Sequence, residues 1–157
     1  MPVSGGPYLS AAFFCERVLR EQDGVPSFIR VTDRWNINGT NEAMDTTIIQ
    51  TTLVIALKSG ILRSAAQIAI TPISPVGDRM LSVFAPVLFE GDDERGVLVI
   101  APLGFPVKEP GLYWWEVALA AQGGDSSVIT YIPMRVVYLR TASAMMGANQ
   151  PPSLGPG

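Results

Sequence analysis

The run Gly111-Leu112-Tyr113-Trp114-Trp115-Glu116-Val117-Ala118-Leu119 opens directly behind Pro110, and with Val128 to Leu139 it forms the chain's densest aromatic and β-branched block. Between the two lies Ala121-Gln122-Gly123-Gly124-Asp125-Ser126, a polar, glycine-centred reversal, so the pair predicts a β-hairpin. Side chains alternate along a strand, which sends Trp114 and Trp115 to opposite faces. Placing Tyr113, Trp115, Val117 and Leu119 in the core with Val128, Ile132, Met134 and Val136 leaves Trp114, Tyr131 and Arg135 together on the outer face. Pro133 lacks a ladder donor and predicts an interruption or an edge.

Working back from this hairpin, a second one is expected from Tyr8 to Arg20 and Ser27 to Ile37, around the turn signal Gln22-Asp23-Gly24. Charge selects its register. A three-residue loop sets Glu16 opposite Arg30, whereas a two-residue loop sets Glu16 beside Asp33. The preferred register turns Phe13, Cys15, Ile29, Val31 and Trp35 inward, with Glu16, Arg30 and Arg34 outward. It also leaves Arg17 and Asp33 on the mainly apolar face, where each needs a partner.

Further strands are read at Thr51 to Lys58, Ala66 to Ile73, Leu81 to Glu90 and Val97 to Leu103. Pro86 marks the third of these as kinked or at an edge, and Gly91 to Gly96 reads as a charged hairpin loop. Eight strands with no helical pattern between them predict an all-β fold, a two-sheet antiparallel β-sandwich of immunoglobulin-like kind, over residues 8–140. The expected buried set includes Val31, Trp35, Val54, Leu57, Ile68, Ile70, Val83, Val99, Trp115 and Ile132. Residues 1–7 and the Gly/Pro-rich 141–157 read as a flexible N-terminus and a disordered tail.

These residues carry a resemblance. Phe14-Cys15-Glu16-Arg17-Val18, Asp23-Gly24, Ile29 to Arg34, Gly111-Leu112-Tyr113-Trp114-Trp115 and Ile132-Pro133-Met134-Arg135-Val136 together resemble a family of small bacterial β-sandwich proteins of unknown function. The resemblance runs from Tyr8 to Tyr138 and implies the fold; it implies no activity, cofactor or site residue. The Gly/Pro tail departs from the pattern.

Composition narrows the function. At 157 residues the chain suits one domain that needs no staple or metal. Its charged fraction of 16% lies below the usual value of about 25%, which fits either an outer surface that is partly apolar or neutral or a β-protein that solvates itself with Ser, Thr and backbone. A net charge of -3 opposes binding to nucleic acid or anionic lipid. No stretch is long and apolar enough to span a bilayer as a helix, and the N-terminus lacks the pattern of a secretory signal, so the cytoplasm is the expected compartment.

Catalytic chemistry is sparse. With no histidine, the commonest general base and metal ligand is missing. Cys15, the single cysteine, sits among Phe13, Phe14 and Val18 as a small hydrophobe, and the glycines form no phosphate-binding loop. Asp23, Asp92, Asp93, Glu94 and Asp125 share one end if every connection reverses the chain, but they lack a calcium-ligand spacing. The expectation is therefore a non-enzymatic domain without cofactor or metal: a protein-interaction module or homo-oligomeric subunit of a bacterial cytoplasmic assembly, with Trp114, Tyr131 and Arg135 as its binding surface. The alternative is a sandwich that binds a small ligand or carbohydrate on its exposed aromatic face.

Overall fold

Nine strands form in chain order: β1 (Tyr8–Arg20), β2 (Pro26–Val31), β3 (Arg34–Gly39), β4 (Thr47–Lys58), β5 (Arg63–Ile73), β6 (Val83–Glu90), β7 (Gly96–Val107), β8 (Gly111–Ala121) and β9 (Ser126–Arg140). The computed structural model describes residues 5–91, 96–121 and 125–142, and no helix occurs among them. The proposed N-terminal and C-terminal tails lie largely outside the described residues. Strand order is β2-β1-β4-β7 in a four-stranded sheet and β3-β9-β8-β5-β6 in a five-stranded one, which curls as a half-barrel.

The first hairpin takes the register that charge selects. Cys15 pairs with Val31 and Arg17 with Ile29, which brackets Glu16 against Arg30, and Arg30 Nε lies 3.2 Å from Glu16 Oε1. Gly24 closes the turn at φ +83°, a conformation open to glycine at little cost, and its N–H donates to the Glu21 carbonyl. Beyond Val31 the expected strand breaks in two. Thr32 N–H makes the last bond to β1, at the Phe14 carbonyl, and the Asp33 carbonyl then accepts from Arg135 N–H of β9. The chain thus crosses between sheets at Thr32-Asp33, and β3 runs parallel to β9, a ninth strand and a parallel pairing in place of eight antiparallel strands. Arg17 and Asp33 are both exposed, so neither needs the buried partner expected for it. Likewise β6 and β7 lie in different sheets, so the segment from Gly91 to Gly96 is no hairpin loop.

Both sheets contribute to one core. Leu53, Ile55 and Leu57 of β4 and Leu103 and Phe105 of β7 pack in one cluster with Ile68 and Ile70 of β5, Trp115 of β8 and Met134 of β9. Trp115 is the hinge of this packing. Its ring meets Phe105 edge-on at 4.6 Å and Phe14 at 5.6 Å, both from the opposite sheet. Its Nε1 is buried without a hydrogen-bond partner among the described residues.

Several expected core residues move. Phe14, not Phe13, enters the core, because it lies opposite Leu53 in the β1–β4 ladder. Phe13 faces the other side of the sheet opposite Val54, and its ring meets Phe28. Cys15 and Val54 are fully buried but sit outside the main core cluster. Ile29 and Val31 are exposed because β2 is an edge strand, and Val83 is exposed at the start of edge strand β6. Val128 is turned out by a bulge: Val117 pairs with Thr130 but Ala118 pairs with Val128, so one extra residue on β9 shifts the phase and brings Ile129 against the core instead.

Prolines fall where donors are not needed. Pro86 lies on edge strand β6, as expected; Pro102 lies on edge strand β7, which runs past its expected end at Leu103 and takes in Pro106 as well. Pro133 sits inside the sheet, two residues before Arg135, so its nitrogen points toward the β3 side, where β3 has not yet begun.

Two outcomes check this account. Trp115→Ala should cost about 3–5 kcal/mol in urea denaturation; a loss below about 1 kcal/mol would remove the ring from its place between the sheets. A double-mutant cycle on Glu16 and Arg30 should give a coupling of about 0.5 kcal/mol, falling with added salt.

Candidate functional site

The outer face of the five-stranded sheet is built from the residues that alternate with the core. On β8 these are Leu112, Trp114, Glu116, Ala118 and Ala120; on β9, Tyr131, Pro133 and Arg135; on β5, Gln67, Ala69, Thr71 and Ile73. Trp114 lies opposite Pro133, with Tyr131 one row to one side, opposite Glu116, and Arg135 one row to the other, opposite Leu112. The three residues expected to form a surface therefore occupy neighbouring rows. Trp114 keeps 39% of its surface in solvent and Tyr131 49%, against 1% for Trp115. Farther along the face Phe84, Leu88 and Val128 are exposed as well, beside an open depression of about 640 Å³ lined by Ala65, Gln67, Pro86, Leu88 and Ala120.

At the centre of the face sits a largely buried acid, opposite Tyr131 on β9 and Thr71 on β5. Glu116 keeps only 12% of its side chain exposed, and such a carboxylate needs partners. Arg79 supplies two hydrogen bonds in fork geometry, Nη1 to Oε2 at 3.0 Å and Nη2 to Oε1 at 2.7 Å, and the Tyr131 hydroxyl donates to Oε2 at 3.0 Å. Beside them the Thr71 and Ser82 hydroxyls meet at 2.6 Å. The guanidinium holds the Glu116 carboxyl below its usual range, while the carboxylate raises both Arg79 and the Tyr131 phenol.

Arg79 is delivered by a compact turn. The Ser74 N–H donates to the Asp78 carbonyl, Gly77 N–H to the Ser74 carbonyl and Met80 N–H to the Pro72 carbonyl, which folds Arg79 back opposite Ile73. Pro75 of this turn packs on Gly111 so closely that a Cβ there would lie 2.7 Å from Pro75 Cγ. With φ at +145° besides, only glycine suits the position.

Sequence reasoning missed Arg79, Thr71 and Ser82. The available signal was Glu116 itself: the only acid between Gly111 and Ala121, on a strand otherwise apolar, requires a cation. Which arginine supplies it depends on a fold-back not written in the alternation. Both Glu116 oxygens are engaged, Oε1 by Arg79 and Oε2 by Arg79 and Tyr131. Burial pushes the Cys15 thiol up, away from the thiolate. Among the described residues no group of three or more His, Cys, Asp or Glu could hold a metal ion; Asp92, Asp93 and Glu94 lie outside them. Compared with known proteins, the chain matches no family model and no curated sequence.

The depressed carboxyl sets the sign of a pH effect. Its stabilisation is present above the free value of about 4.3 and is lost as pH falls through the lower folded-state value. Glu116→Gln should therefore lower the melting temperature near neutrality, by an amount equivalent to about 1–2 kcal/mol. The gap to the wild type should close on acidification. A gap that stays constant into the acid limb would mean that the carboxylate's charge contributes nothing.

Proposed function

We propose that this chain is a non-enzymatic protein-interaction module of the bacterial cytoplasm, a β-sandwich of immunoglobulin-like kind that docks a partner on the outer face around Trp114, Tyr131 and Arg135. One observation carries the reading: a half-exposed tryptophan flanked by a tyrosine and an arginine, on a sheet face braced by the Glu116–Arg79 fork. Aromatic and arginine side chains supply most interface hot spots, and a partner gains most from those already held in place. Tyr131 is held through its hydroxyl, and Trp114 stands on a central strand rather than a loop. The sandwich reading is supported by the shared core and the cross-sheet contacts of Trp115, and a cytoplasmic setting by the single, buried cysteine.

A carbohydrate stacked on Trp114 is the weaker reading. Such a ligand needs polar groups beside the ring to receive its hydroxyls. The nearest carboxylate, Glu116, is already occupied by Arg79 and Tyr131.

Trp114→Ala should leave the melting temperature within a degree or two of the wild type and weaken partner binding by 2 kcal/mol or more, roughly thirtyfold. The check is affinity capture with the full chain, followed by titration of the recovered partner against wild type, Trp114→Ala and Ile48→Ala, the last altering an exposed residue of the four-stranded sheet. Equal binding by all three would sink the proposal. A Trp114→Ala chain as unstable as Trp115→Ala would place the indole in the core.

A further inference from the structure

Two open sheets present four edge strands, and edges left unguarded pair with other chains. Three of the four are guarded here. β7 carries Pro102 and Pro106, β6 carries Pro86, and β2 carries Pro26 and a residue, Arg30, with φ at +53°. β3 has no proline, no bulge and no charge between Trp35 and Gly39.

The phase of its backbone can be read from both ends. Arg135 N–H donates to the Asp33 carbonyl and Thr141 N–H to the Gly39 carbonyl, so the odd-numbered residues of β3 face β9 and the even-numbered ones face away from it. At Arg34 the Thr32 hydroxyl closes the outward groups, accepting from the N–H at 3.2 Å and donating to the carbonyl at 2.9 Å. Among the described residues Asn36 and Asn38 remain, each presenting an N–H and a carbonyl to the open side of a terminal strand.

We infer that two copies of this chain pair edge to edge through β3, antiparallel about a twofold axis at Ile37, joining their five-stranded sheets into one sheet across the interface. The arrangement is self-complementary, as a twofold interface must be. Asn36 of one copy lies opposite Asn38 of the other, and each such pair exchanges both backbone bonds. The exposed asparagine amides then face one another across the strands. Arg34 falls at the end of the partner strand, where the turn carrying Glu42 and Asp45, and no basic residue, begins. Two residues' worth of backbone bonds would hold a foreign peptide weakly, whereas a second copy adds this charge match at both ends. The inference does not rest on what docks at Trp114.

The test is the mass of the full chain in solution, by light scattering and sedimentation over a wide concentration range. The wild type should be a dimer. Asn36→Glu with Asn38→Glu, and separately Asn36→Lys with Asn38→Lys, set like charges opposite each other and should each give a monomer with an unchanged circular dichroism spectrum. Mixing the two should restore a heterodimer. A wild type that stays monomeric overturns the inference, as do charged variants that dimerise like the wild type. If Trp114→Ala abolishes self-association and the charged pairs do not, the contact is the aromatic face; the β3 inference then fails while the proposed function stands. Should the charged variants fail to fold, amide exchange of the wild type decides. The Asn36 and Asn38 amides should be slowed at high concentration, and exchange at a rate independent of concentration would refute the pairing.

Discussion

Trp115 joins the two sheets: its ring, on a central strand of one, takes the edges of Phe14 and Phe105 from two strands of the other. Edge-to-face contacts of this kind add directional energy to the area they bury, so they orient the strands of the two sheets around the shared core as well as holding them together. Much else is set from there. The alternation that places Trp115 inside places Trp114 and Glu116 outside, and the register with β9 brings Tyr131 and Arg135 beside them. Core and surface are two readings of one strand.

The outer face is organised around a charge that the strand cannot satisfy by itself. Glu116 stands where alternation leaves it, on the outer face but largely buried, and the turn from Ser74 to Asp78 exists in a form that returns Arg79 to it. Gly111 is tied to the same turn, since its missing side chain makes room for Pro75. The result is a sheet face whose polar centre is internally paired and whose exposed groups are mainly aromatic and aliphatic. That composition is what the proposed docking of a protein partner rests on.

Edges are treated with the same economy. Prolines occupy three of the four edge strands, at positions where a donor would otherwise point to solvent or to another chain. Pro133 shows that the rule is local: an inner strand tolerates proline where its neighbour has not yet begun. Against that pattern the unguarded β3 stands apart.

What the sequence by itself determined was whatever depends on neighbours a few residues away. Alternation in Tyr113 to Leu119 set the inward and outward rows of β8, and the opposition of Glu16 and Arg30 set the first hairpin's register, because both are properties of a single strand or a single turn. Tertiary structure decided whatever depends on which strand lies alongside. Phe13 and Phe14 are equally apolar, and only the placement of Leu53 opposite Phe14 selected the core ring. The bulge that exchanged Val128 for Ile129 leaves no mark in composition, and the break at Thr32-Asp33 exists because β9 offers Arg135 N–H to the Asp33 carbonyl. Arg79 reached Glu116 by the same kind of cause. Sequence periodicity records the side a residue faces, but the partner it meets there is fixed only when distant strands come together.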